Sequence, residues 1–106
     1  MRLGFGVGLV LLLAVVAASD AGAAPPVEIA IKDFAYAPRA LTVKAGATVT
    51  WVNHDEETHT ITSKTGLFGS SGLGDGERFS RRFPQRGTYT YFCALHPKMT
   101  ATIIVQ

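Results

Sequence analysis

From Val27 onward the chain alternates apolar and polar residues in short runs, each cut off by glycine, proline or a polar cluster. Val27-Glu28-Ile29-Ala30-Ile31-Lys32 has the period of two that places alternate side chains on one face of a half-buried strand. Phe34, Tyr36 and Pro38 continue on alternate positions, and Pro38, with no N–H to give, ends the pairing. Leu41-Thr42-Val43 predicts a short strand and Ala45-Gly46-Ala47 a turn. Thr48-Val49-Thr50-Trp51-Val52-Asn53 alternates cleanly, with Trp51 as a core aromatic. His54 to Thr58 reads as an acidic, solvated loop, and His59-Thr60-Ile61-Thr62-Ser63 as another strand-like run. Gly66 to Gly76 holds five glycines, with Leu67, Phe68 and Leu73 as its apolar anchors, and predicts a long irregular loop tied down at a few points. Arg78 to Phe83 is the next strand. Arg81 falls on the face that carries Phe79 and Phe83, where it must snorkel at a sheet edge or be turned outward by a bulge. Pro84 to Gly87 is a turn, and Thr88 to Phe92 and Thr100 to Val105 are the last two strands. No amphipathic helix of useful length is written into the chain. Short strands with turns about 8–12 residues apart predict an all-β sandwich of about seven to eight strands.

The N-terminus breaks this pattern. Met1-Arg2 is positive, Leu3 to Ala18 is apolar, and Ala21-Gly22-Ala23 supplies small residues for cleavage, the layout of a secretory signal peptide. The chain therefore divides into a signal peptide, residues 1–23, and one domain, residues 24–106, that is periplasmic or otherwise exported. The apolar stretch is short beside the roughly 20 residues of a membrane span, which weighs against the alternative of an uncleaved anchor; once it is cleaved, no stable membrane insertion is expected. No cysteine lies near the cut to carry a lipid, and no Arg-Arg pair precedes the apolar stretch, which favours the general export route. The formal net charge of +2 is too small to argue for nucleic acid. A monomer is expected.

Candidate chemistry gathers between Tyr91 and Met99. A domain this small usually needs a staple, and exported domains usually find it in disulfides. One cysteine forbids an internal disulfide, and a lone exposed thiol would be a liability outside the cytoplasm. A bound metal answers both difficulties. Cys93, His96 and Met99 stand three apart; thiolate, imidazole and thioether are soft or borderline ligands, and together they suit copper. The plainer alternative is an inert buried cysteine with a histidine and a methionine beside it by chance, and each residue taken singly allows it. Alternation puts Tyr91 and Cys93 on the inward face, so that Cys93 ends its strand at the mouth of the sandwich. A turn of five residues, 94–98, then swings His96 and Met99 toward it. The fourth ligand must be His54 or His59. His59 opens an alternating run and so has a fixed direction, whereas His54 sits beside Asp55, Glu56 and Glu57 in the solvated turn. Pro97 cannot donate a backbone hydrogen bond to the Cys93 sulfur, which leaves the thiolate more electron-rich and favours copper(II).

Three motifs carry a resemblance. Phe34-x-Tyr36-x-Pro38 resembles an F-x-F-x-P element, Gly46-Ala47-Thr48-Val49-Thr50-Trp51-Val52-Asn53 a G-x-T-V-T-W-x-N strand, and Gly87-Thr88-Tyr89-x-Tyr91-x-Cys93-x-x-His96-Pro97-x-Met99 the metal-binding signature of the plastocyanin/azurin (cupredoxin) family of blue copper proteins. The C-x2-H-x2-M spacing is similar to the short loop of amicyanin-like members. The resemblance implies a Greek-key sandwich and one type 1 copper held by His59, Cys93, His96 and Met99. It also implies a one-electron carrier rather than an enzyme, with copper binding or delivery as the alternative. Redox partners would dock transiently, over a small area, at the His96 face formed with Leu95, Pro97 and Lys98. Lys98 and the group Arg78, Arg81, Arg82 and Arg86 would steer acidic partners, although a solvated strand face explains the arginines more simply. Two residues depart from the family pattern. Thr60 stands where many members have an Asn that ties two loops together, which puts that tie in doubt. Lys98 stands where amicyanin has an aromatic, so methylamine dehydrogenase is not carried over as a partner. A Cys–His thiol enzyme would need an oxyanion hole and an orienting acid that the sequence does not display. A copper oxidase or nitrite reductase would need further copper ligands.

Overall fold

A computed structural model describes residues 26–106; the expected signal peptide, residues 1–23, lies outside them. Eight strands follow in order: β1 (Val27–Lys32), β2 (Ala35–Ala37), β3 (Ala40–Val43), β4 (Ala47–Asn53), β5 (Thr62–Ser63), β6 (Arg78–Phe83), β7 (Gly87–Cys93) and β8 (His96–Val105). They form two four-stranded sheets, ordered β2-β1-β4-β6 and β3-β8-β7-β5. β1 with β4 and β3 with β8 pair in parallel, and the other pairs are antiparallel. Parallel neighbours require crossovers, so the chain passes repeatedly from one sheet to the other in a Greek-key sandwich.

The alternation read from the sequence becomes the core. Ile29 and Ile31 of β1, Val49 and Trp51 of β4, Tyr91 and Cys93 of β7, and Ala101, Ile103 and Val105 of β8 all point between the sheets and are buried. Trp51 meets the Tyr91 ring edge-on and donates its Nε1–H to the Tyr91 hydroxyl at 3.1 Å, so the largest core residue leaves no polar atom stranded. Arg81 snorkels. β6 is an edge strand in regular register with β4, Val49 opposite Arg81, with no bulge to turn it out. Its guanidinium lies over the rings of Phe68 (4.9 Å) and Phe83 (5.5 Å) and donates to the Leu67 carbonyl.

Three expectations are corrected. Of the run His59 to Ser63, only Thr62 and Ser63 join a sheet; His59 instead exchanges two backbone hydrogen bonds with Leu73. The alternation is real, but its partner is the glycine-rich loop, which folds back on 59–63 and pairs with it irregularly. Within that loop Phe68 and Leu73 are buried anchors, whereas Leu67, next to Phe68 and facing the other way, is exposed. The turn after Cys93 is shorter than five residues: only Ala94 and Leu95 lie outside the strands, because Cys93 already pairs with His96. The register shifts between Phe92 and Cys93, an irregularity beside which a proline at 97, lacking an N–H, is tolerated.

Candidate metal centre

Strand β7 delivers Cys93 to one end of the core, and the two-residue turn returns the chain so that His96 opens β8 beside it. Cys93 Sγ lies 3.6 Å from His96 Nδ1 and 3.8 Å from His59 Nδ1, and the three atoms are all within 4.8 Å of one another. Cys93 and His59 are wholly buried and His96 is half-buried. Met99 is buried as well and borders the same surface hollow as His96, together with Phe34, Pro97 and Lys98. Metal–nitrogen and metal–sulfur bonds of about 2.0–2.3 Å set at 120° have ligand–ligand edges of about 3.6 Å, so the spacing suits a small ion at the centre. A soft thiolate with two borderline imidazoles is a donor set that suits copper.

His59 is aimed by a residue that the sequence reading left in solvent. Asp55 is buried, and its carboxylate accepts from His59 Nε2 at 2.9 Å. An ionised carboxylate only accepts, so Nε2 of the neutral ring carries the hydrogen and Nδ1 turns its lone pair toward the sulfur. The same carboxylate accepts the backbone N–H of Asp33 (2.8 Å) and of Phe34 (2.9 Å). Burial alone would push the Asp55 carboxyl up; the hydrogen bonds from Phe34, Asp33 and His59 outweigh it and hold the group below the usual carboxylate range. Asp33 and Phe34 are both left-handed, with φ of 53° and 58°. Asp tolerates that region, but a bulky Phe there is an outlier of the kind that costs about 1–3 kcal/mol. Behind Asp55, wholly buried Asn53 donates to the carbonyls of Glu57 and Leu73 and accepts the Asp55 N–H.

Thr60 joins the two halves of the site. Its N–H points at Cys93 Sγ (3.4 Å), its carbonyl accepts the Tyr36 hydroxyl (2.6 Å), and its own hydroxyl accepts the Ala94 N–H (2.8 Å). The tie that a threonine put in doubt is therefore made, by a hydroxyl instead of an amide. With Pro97 unable to donate, Thr60 is the backbone donor to the sulfur among the described residues. Burial raises the Tyr36 hydroxyl well above its ordinary pKa, with smaller contributions from Cys93 and Tyr91; burial raises Tyr91 likewise.

The sequence-predicted residues His59, Cys93 and His96 thus come together with Met99 at their edge, and His54 stays exposed and apart. Asp55, Asn53 and Phe34 were missed as parts of the site. The one signal for Asp55 was its place four residues before His59, inside a run of acids that resembles a solvated turn. Asp55 also supplies the orienting acid that a thiol enzyme had lacked. Cys93 nevertheless has no exposed surface for a substrate to reach and has a second imidazole on its sulfur.

The model of the cupredoxin-like domain matches residues 6–105. Amicyanin of Paracoccus versutus is 33% identical over 96 residues, covering 86% of this chain and 72% of that protein. Plastocyanin of Scenedesmus fuscus is 36% identical over 84 residues, covering 67% of this chain and 86% of that protein. A solved copper(I) form of an amicyanin point mutant superposes with a TM-score of 0.74 at 28% identity, covering 81% of this chain and 88% of the other. With that fold, that donor set and those relatives, the chain belongs to the cupredoxin family, as an amicyanin-like blue copper protein with a site for one type 1 copper.

Proposed function

We propose that His59, Cys93, His96 and Met99 hold the copper and that the protein carries single electrons between redox proteins outside the cytoplasm. The observation that carries this reading is that two imidazole nitrogens and a buried sulfur converge within 4.8 Å, held there by protein hydrogen bonds. Copper bound there supplies a couple one electron apart. The chain's part is to keep the ligands from moving. Asp55 fixes His59, the β7–β8 ladder fixes Cys93 and His96, and Thr60 ties one to the other. A site that rearranges little on gaining or losing an electron has a low barrier to transfer.

Half-buried His96 is the proposed contact with a partner. Around it, exposed Phe34, Leu95 and Pro97 give an apolar centre, and Lys98 and Arg39 give a basic side. Lys98 and Arg39 border one hollow with Met99, and Arg39 reaches Thr100 Oγ1. Small apolar faces with a charged rim suit brief redox encounters. Arg78 pairs with Glu28 and Arg81 packs on Phe68, while Arg82 stands opposite Thr48 and Arg86 precedes the Gly87–Val105 end of the β7–β8 ladder, away from Cys93. Of the basic residues expected to steer partners, Lys98 is the one at this face. No catalytic step is assigned to the chain.

Copper(II) added to the mature protein should give an intense thiolate-to-copper visible band and a type 1 paramagnetic resonance spectrum. Cys93→Ser should abolish both, and His54→Ala should leave both untouched; a band that survives Cys93→Ser would overturn the ligand assignment. Protein from the exported fraction is expected to begin at Ala24. Transfer of the metal to an acceptor faster than electron self-exchange would mark a copper-delivery protein instead.

A further inference from the structure

We propose that Phe34 is a positioning residue for this centre: its phenyl ring is a cover held over both imidazoles by a turn that Asp55 clamps in shape. The inference rests on the copper reading above. Phe34 is 47% exposed, so its ring contributes little to the core. Its backbone is left-handed, a shape that Asn or Gly meets more cheaply. What phenylalanine adds is contact with the two histidines. The ring centroid is 5.0 Å from that of His59 and 4.9 Å from that of His96, with interplanar angles of 86° and 81°. These are edge-to-face contacts of the favourable kind.

The two histidines differ in how much they need it. His59 is wholly buried and anchored through Nε2 by Asp55. The ring of half-buried His96 has Cys93 Sγ as its hydrogen-bond contact among the described residues, and it borders the open hollow shared with Phe34, Pro97, Lys98 and Met99. Phe34 packs against the ring that hydrogen bonds leave free. It restrains the swing of His96 away from the sulfur and narrows the approach of water or competing ligands. Asp55 serves both histidines from one carboxylate: directly for His59, and for His96 by holding the Asp33 and Phe34 amides in the turn that aims the phenyl.

Copper release to excess chelator, followed by decay of the visible band of the loaded mature protein, tests this. Phe34→Asn keeps a residue tolerant of the left-handed turn and removes the ring; Phe34→Tyr keeps the ring. Phe34→Asn is expected to leave the band in place and the unfolding midpoint of the metal-free protein unlowered, and to release copper about ten-fold faster, the factor that aromatic contacts of this kind correspond to. Phe34→Tyr is expected to release at the wild-type rate. Release from Phe34→Asn within two-fold of wild type overturns the proposal, as does equally fast release from Phe34→Tyr, which needs no tolerance of a changed turn to be read. A wild-type protein with no band would defeat the copper reading itself; a blue wild type matched by Phe34→Asn defeats this inference alone.

Discussion

The two stretches that supply the histidines and the cysteine are held in opposite ways. In the β7–β8 hairpin, seven cross-strand pairs from Gly87–Val105 to Cys93–His96 fix the backbone, and side chains simply follow the pleat. Between Asn53 and Gly76 regular pairing is confined to Thr62 and Ser63, and buried side chains join scattered backbone hydrogen bonds in holding the chain. Every buried polar or charged side chain among the described residues, Asn53, Asp55, His59, Thr60 and Ser63, lies in this second stretch. Ser63 Oγ accepts the Leu67 N–H, and Ser70 Oγ accepts the Ile61 N–H, continuing the pattern into the loop. A ladder spreads its energy over many equivalent bonds, so one outward side chain matters little. A buried polar network concentrates it, and each member lost leaves partners unpaired in a low-dielectric setting.

The widest gap between the two stretches should appear on comparing Asn53→Ala with Thr88→Ala. Asn53→Ala deletes three hydrogen bonds and strands the Asp55 N–H. Leu73 O keeps the His59 N–H as a partner, which limits the damage. A loss of about 2–4 kcal/mol is expected from denaturant unfolding of the metal-free protein. Thr88 faces outward from β7 and is exposed, so its truncation should stay within about 0.5 kcal/mol. Equal losses at the two positions would break the comparison.

The same contrast explains what was legible in the sequence. Apolar alternation marks a ladder, so β1, β3, β4, β6, β7 and β8 were readable, and with them the inward direction of Cys93. Three ligand types spaced three apart marked the hairpin half of the site. The other half was written in residues that look the same whether solvated or buried. His54-Asp55-Glu56-Glu57 reads as an acidic turn, yet Asp55 alone turns inward, toward two backbone amides on a different strand connection and a histidine. Beyond its place four residues before His59, nothing local distinguishes Asp55 from Glu56. Its role depends on a turn some twenty positions earlier whose left-handed shape no alternation pattern predicts. Leu67 and Phe68 make the same point for apolar residues: both look like anchors, and only the folded-back loop decides between them.

Tyr36 sharpens the comparison through pH. It projects from β2 into the core, meets Tyr91 edge-on at 4.7 Å and donates to the Thr60 carbonyl, so it braces the irregular stretch from the regular sheet. Burial keeps its hydroxyl protonated past the pH at which a free tyrosine ionises. The sign follows: with the folded pKa raised, this stabilisation is whole below the ordinary value of about 10 and is lost as pH rises above it, because the unfolded chain releases the proton first. Tyr36→Phe should therefore cost about 1 kcal/mol at neutral pH and flatten the alkaline fall in stability. Part of the slope should remain, from Tyr91. An alkaline limb as steep as that of wild type would show that the hydroxyl is not held as described.

The smallest effect expected within the irregular stretch belongs at the seam, where Thr60 touches both stretches. Thr60→Val keeps the branched shape and the backbone N–H that points at Cys93 Sγ, and removes the hydroxyl that accepts the Ala94 N–H and shares a hydrogen bond with Thr62 Oγ1. Ala94 is exposed and Thr62 half-buried, so water can take over both partners, and the expected loss is about 0.5–1 kcal/mol. The visible band should not move, since the sulfur's donor is untouched; Thr60→Asn, whose amide oxygen can accept the same N–H, should recover the stability. A band shifted by Thr60→Val and restored by Thr60→Asn would mean that the hydroxyl acts on the sulfur through the Ala94 backbone. The two stretches would then set the electronic character of the site jointly, and the division drawn between ladder and network would hold for stability but not for the metal.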